Sequence, residues 1–272
     1  MMRLLIADTK RFYARRMTLF FPAAIALLMI AGIVIAYFVI ENGDSNPDFV
    51  NDMAGGVSAT AILGPVANLL PVMAFVIGAS FIGADLKTGM LEQILTWEPR
   101  RPRIVASRAI AALVNVGLIS AFLAAFLVAL LFGLAVAIDT SSGTTGELWL
   151  NIAAAIARTA VACGLFAVIG IGITLFVWNS VGSIVGFLIY WFILESFLIS
   201  TFLPKVAVWL PITNASSFAS GADVERIEGS VFSGDFEIVS HHGYRTAGVV
   251  LLIWALACGT AGVVRLLQRD ID

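Results

Sequence analysis

The sequence predicts an all-α integral membrane protein. Three observations predict it: an apolar excess too large for a soluble core, six long apolar runs, and charges confined almost entirely to the segments between those runs. Of 272 residues, 60% are hydrophobic and only 12% charged, with a mean hydropathy of +0.98. Soluble domains run at about 45–50% apolar and about 25% charged. The surplus apolar surface must therefore face lipid.

A spanning helix needs about 20 mostly apolar residues. In chain order the runs are Leu19–Ile40, Ala59–Ala84, Ala109–Ile138, Leu150–Trp178, Val181–Leu203 and Thr246–Leu267. Each is a continuous apolar run, which fits a helix and not the alternating segments of about ten residues found in barrel strands. Arg3, Lys10, Arg11, Arg15 and Arg16 precede the first run as they would in a signal peptide. That run is longer than a signal-peptide core and leads into an acidic loop without a small-residue cleavage site, so it reads as an anchor.

The charges between the runs set the orientation. With the N-terminus in the cytoplasm, the N-terminal segment, the loop after the second run and the C-terminus share one side. They hold Arg3, Lys10, Arg11, Arg15, Arg16, Lys87, Arg100, Arg101, Arg103, Arg108, Arg265 and Arg269, twelve of the sixteen Lys and Arg. The opposite side receives most of the acidic residues, with Lys205, Arg226, Arg245 and, if it lies at the surface, Arg158. By the positive-inside rule both termini are cytoplasmic. The whole chain, 1–272, reads as one transmembrane domain in the cell membrane.

Several function classes find no support. There is no G-x-x-x-x-G-K-S/T phosphate loop, no H-E-x-x-H helix and no G-x-S-x-G turn. The chain is therefore not expected to be an enzyme, to bind a cofactor of its own or to contact nucleic acid. His241 and His242 are adjacent in an outer loop, and no metal site is expected there. Cys163 and Cys258 both lie within apolar runs and read as packing residues. A secondary transporter usually buries several ionisable groups near the midplane, whereas here only Glu195 and Arg158 stand in apolar runs.

One polar stretch breaks the apolar pattern. In "GADLKTGMLEQILTWEPRRPRIVASRAIAAL", residues 83–113, Leu86, Met90, Leu91, Ile94 and Leu95 recur at helical spacing opposite Lys87, Thr88, Glu92, Gln93 and Thr96. Pro99 and Pro102 are expected to stop that helix, with Arg100, Arg101 and Arg103 forming a basic corner before the chain returns to the membrane at Ala109. Periodicity alone fits either a membrane-surface helix or a docking element for a cytoplasmic partner.

The same residues resemble the cytoplasmic loop of ABC-2 type transporter permeases. The match lies in Asp85, Gly89, Leu91, Glu92, Leu95, Pro99 and Arg101, with Met90 where the family usually has Thr. The resemblance implies that segment 85–107 holds a coupling helix seated in a groove of an ATP-binding subunit. "LLIADTKRFYARRMTLFF" is similar to the family's amphipathic connecting helix, here 1–18. "WNSVGS" is similar to its tight cytoplasmic turn, and segment 204–245, with "WLPITNASSFASG", to its outer re-entrant helices and cap. The resemblance implies a permease subunit of an exporter that works as a dimer, identical or mixed. Two separate ATPase subunits would supply ATP and Mg chemistry. A polytopic scaffold or insertion factor with no ATPase partner is the alternative.

In that family the second and fifth helices line the pathway, which makes Phe75, Phe187 and Trp191 wall or gate candidates, with Glu195 a candidate facing the cavity. Gly182 and Gly186 form a small-residue motif suited to close helix approach. Arg158 and Glu195 lie at similar depths in antiparallel runs, so an intramembrane pair is one expectation. A snorkelling Arg158 is the other.

Overall fold

The computed structural model describes residues 2–41, 59–90, 101–137, 146–199, 203–229 and 236–268. Its order is α1 (Met2–Tyr13), α2 (Arg16–Glu41), α3 (Ala59–Lys87), α4 (Arg101–Ala137), α5 (Gly146–Val177), α6 (Ser180–Ile189), a π-helical continuation (Tyr190–Ile199), α7 (Pro204–Ala207), α8 (Pro211–Ser220), β1 (Val224–Gly229), β2 (Phe236–His242) and α9 (Tyr244–Gln268). Five helices, α2, α3, α4, α5 and α9, are long and apolar enough to cross a membrane, and Ser180–Glu195 is a shorter apolar helix.

These helices share a composition but occupy different environments. Over its most apolar window α2 is 6% buried, whereas α3 is 78% buried. The centre of the bundle is α5, which contacts α3, α4 and α9. Its glycines permit this. A Cβ on Gly170 would strike the backbone of Phe75, and one on Gly78 would strike the backbone of Ala167, so α3 and α5 cross with their main chains in contact. Gly172 of α5 and Gly262 of α9 repeat the device on the other side. Small residues at such crossings let dispersion act between backbones, which matters where lipid removes the hydrophobic driving force. The expected motif is not the one used: Gly186 has nothing within 4 Å of an added Cβ, and Gly182 meets only the Asn179 side chain.

Local signals explain the joints. The α5–α6 turn places Trp178 at φ 60, and it is the one non-glycine residue with positive φ among the described residues. Asn179 then caps α6, its side chain accepting from the backbone N–H of Val181 at 3.0 Å and Gly182 at 3.2 Å. The outer helix α8 opens with Pro211 in its first turn and ends on Gly221 at φ 80, the expected start and stop.

Two expectations about elements need correction. The third apolar run does not start at Ala109: α4 begins at Arg101, eight residues earlier, with Pro102 in its first turn, where a missing N–H has no helical partner anyway. The helix that Pro99 and Pro102 were expected to stop lies mostly outside the described residues. The outer segment is also not purely helical, since β1 and β2 pair antiparallel with Ile227 opposite Ile238.

Candidate functional site

At one end of the bundle, α1 lies against α4, with its buried stripe running through Asp8 and Phe12. Phe12 is fully buried and meets Phe81 of α3 edge to face at 5.4 Å. The break after α1 delivers Arg15 to the end of α3. Its guanidinium donates to the carbonyls of Ser80 (3.1 Å) and Phe81, lies over the Phe81 ring and binds Asp85 Oδ1 at 2.7 Å. The other Asp85 oxygen, Oδ2, forms an ion pair with Arg108 of α4, a side chain only 1% exposed. Ser107 Oγ donates to Asp8 Oδ2 at 2.7 Å, which brings a second carboxylate near Arg108.

Asp85 of α3 thus joins α4, through Arg108, to the break between α1 and α2, through Arg15. A carboxylate shared by two arginines is geometrically specific, and removing it leaves a buried cation without its counter-ion. The chain between Asp85 and Arg108 contains the polar loop, so the joint ties both feet of that loop to each other and to α1. Gly89 sits just beyond α3 at φ 65, where a side chain would be strained. Leu91, Glu92, Leu95 and Pro99 lie outside the described residues, and Arg101 is described only as the start of α4. Arg15 and Arg108 had read as ordinary positive-inside charges. The missed signal was an arginine near the start of a long apolar helix, where an ionised group needs a partner.

In the middle of the bundle the pathway candidates come together. Phe75 and Phe187 are buried and stacked, centroids 3.8 Å apart at 11°. Phe166 of α5 meets Phe187 edge to face at 6.3 Å, and Tyr190 lies at 6.2 Å on its other side. Trp191 is only partly buried; it packs against the core and against Phe192. The stack closes the space between α3, α5 and α6.

At the opposite end, against α8, Arg158 and Glu195 do not pair. Glu195 is 3% exposed, and its Oε1 accepts from Thr213 N–H at 2.8 Å and Thr213 Oγ1 at 3.2 Å, in the first turn of α8. Arg158 Nη2 donates to the Ser220 carbonyl at 3.3 Å, in the last turn of the same helix, and its guanidinium lies over the Tyr244 ring. The ten residues of α8 span roughly 15 Å. That length stands between the two charges and accounts for the failed expectation. Each charge opposes the partial charge of the helix end it touches. Gly221 is required for its left-handed φ; a Cβ there would also meet the tip of the flexible Arg158 side chain at 2.5 Å and displace it.

A polar latch completes the α8 end. Asn214 is fully buried and donates through Nδ2 to the carbonyls of Val208 (2.9 Å) and Leu210 (2.7 Å). Its Oδ1 is left to accept from His242 Nε2 at 3.0 Å, which makes that nitrogen the protonated one. Trp209 stacks on the same imidazole at 5.2 Å. Burial, together with the neighbouring His241, pushes the His242 pKa below its ordinary value. The histidines serve this latch, and no group of three metal-ligating side chains occurs among the described residues.

Fold and site together define a multi-pass helical membrane protein, closed by aromatic stacking at its centre and pinned by charged side chains at both ends. Comparison with family models, with curated proteins and with solved structures found no match.

Proposed function

We propose that this chain is the permease subunit of an ATP-binding-cassette exporter, driven by two separate ATPase subunits and forming its pathway with a second permease subunit. Six crossings complete this reading, the sixth made by Ser180–Glu195 and its π-helical extension, with both termini cytoplasmic. The observation that carries it is the Asp85 joint. The segment with the coupling sequence connects two helix ends, those of α3 and α4, that are locked to each other and, through Phe12 and Arg15, to the amphipathic segment. A push on residues 91–100 would therefore move α3 and α4 as one body. Since α3 carries Phe75, it would shear the Phe75–Phe187 stack and open the centre. The chain itself holds no nucleotide; ATP and Mg belong to the partner.

The test is co-expression with a candidate ATPase bearing a phosphate loop, followed by purification and ATP turnover in proteoliposomes. Co-purification with turnover raised by the permease is expected. Glu92→Arg, or Leu91→Asp with Leu95→Asp, should abolish that stimulation while membrane yield is kept. Normal assembly and turnover in both variants would remove the coupling role. Membrane protein folding that depends on the chain without any ATPase would instead favour the scaffold or insertion-factor reading.

A further inference from the structure

At the inner end of α9 a groove of about 460 Å³ is lined by Phe176, Ala257, Thr260, Ala261, Val264, Arg265 and Gln268. It is independent of the Asp85 joint, the aromatic stack and the outer latch. Its order along the helix axis is informative. Ala257 and Ala261 form a trough beside Phe176, Val264 follows, and Arg265 and Gln268 close the end nearest the helix terminus. Thr260 adds no polarity to the trough, because its hydroxyl turns back onto the Leu256 and Ala257 carbonyls at 2.8 and 3.0 Å. From Ala257 to Arg265 is eight residues, about 12 Å along the axis.

Arg265 is exposed and has no hydrogen-bond or ion-pair partner among the described residues. Phe176 is also more than half exposed. In a membrane helix this face meets lipid, so the groove runs from an acyl-chain environment to the headgroup level. Apolar trough first, then an exposed guanidinium and a carboxamide, is the order in which a phospholipid presents chain and phosphate.

We infer that this groove is a binding site for one anionic glycerophospholipid, its phosphate on Arg265 and Gln268 and one acyl chain along Ala257, Ala261 and Phe176. Basic pockets at cytoplasmic helix ends hold anionic headgroups through the same combination of charge and apolar depth. A soluble phosphate would satisfy the guanidinium but leave the trough unused, and a zwitterionic lipid would fill the trough with a weaker claim on Arg265. The site holds α9 to α5 at the level where Gly172 and Gly262 bring their backbones together.

The full-length protein, delipidated in detergent, would be titrated with phosphatidylglycerol, phosphatidylcholine or inorganic phosphate, with thermal unfolding and native mass spectrometry as readouts. Phosphatidylglycerol should stabilise most and be retained as a discrete adduct. Arg265→Gln should weaken its binding roughly fivefold, the effect of one interfacial charge. Ala261→Trp, which fills the trough and keeps the charge, should weaken it too, while Lys205→Gln at the outer end should not. Equal response to the two lipids, an equal effect of inorganic phosphate, or unchanged phosphatidylglycerol binding in Arg265→Gln and Ala261→Trp would each overturn the site.

Discussion

The two ends of the molecule use the same residue types in different ways. At the α1 end opposite charges meet directly: Asp85 of α3 lies between Arg15, in the break after α1, and Arg108 of α4. At the α8 end Arg158 and Glu195 never meet, and each instead caps one terminus of α8. The difference lies in what is left when one member is lost. Removing Asp85 strands an arginine that is 1% exposed, a full charge inside the bundle. Removing Glu195 returns a helix terminus to partial charges that its own N–H groups and Thr213 still present. Direct pairing therefore makes a rigid joint, and capping makes a support that can yield.

The largest expected effect tests the joint. Asp85→Asn should destabilise the protein by about 3–5 kcal/mol, the cost of breaking a buried pair by removing one partner. Asp85→Leu with Arg108→Met should recover most of that loss, since two apolar groups of similar volume replace the pair. Thermal unfolding in detergent reads both. A mild effect of Asp85→Asn would show that Arg108 reaches another anion, and the contrast between the two ends would fail.

A smaller effect tests the caps. Arg158→Gln and Glu195→Gln should each cost about 0.5–2 kcal/mol, as expected for a charge at a partly buried helix end. The exchange Arg158→Glu with Glu195→Arg separates the two geometries. A paired couple would be rescued by the swap, whereas two caps would both face the wrong end of the dipole and the losses would add. Rescue would restore the pair and dismiss the helix between them.

The smallest effect concerns the latch. The His242 pKa is depressed in the folded protein, so the neutral imidazole is the form that the fold favours. Its contribution is complete above the ordinary value of about 6.5 and is lost as pH falls through the lower folded value. Outer-segment stability, followed by proteolysis or hydrogen exchange of α8, should fall between pH 6.5 and mildly acidic conditions. His242→Gln should flatten that dependence; an unchanged slope would place the proton elsewhere.

Much of the helix layout was legible in the sequence, because a run of about 20 apolar residues has few stable alternatives in a membrane. The run read as Leu150–Trp178 became Gly146–Val177, and Thr246–Leu267 became Tyr244–Gln268. Parts of the candidate site were legible for a related reason. Glu195 and Arg158 stood out because ionised groups are costly inside an apolar run, and Asp85 because its segment resembles a coupling-loop motif.

Their partners were not legible. Arg108 was set outside the bilayer because the span was started at Ala109, when Pro102 in fact opens a helix that carries Arg108 into the bundle. The pairing of Arg158 with Glu195 was argued from depth alone, and depth says nothing about an intervening helix.

By itself, then, the sequence determined that this is a membrane protein, where most of its apolar helices lie to within a few residues, and that Glu195 and Arg158 need partners. Apolar length, charge and proline or glycine punctuation act locally and can be read locally. Only the tertiary structure decided that α3 is enclosed while α2 is exposed, although their mean hydropathies of 1.9 and 2.5 both satisfy a bilayer. Lipid and protein interior are equally apolar, so hydropathy does not separate them. Steric fit does, at Gly78, Gly170 and Gly172, where one backbone admits another.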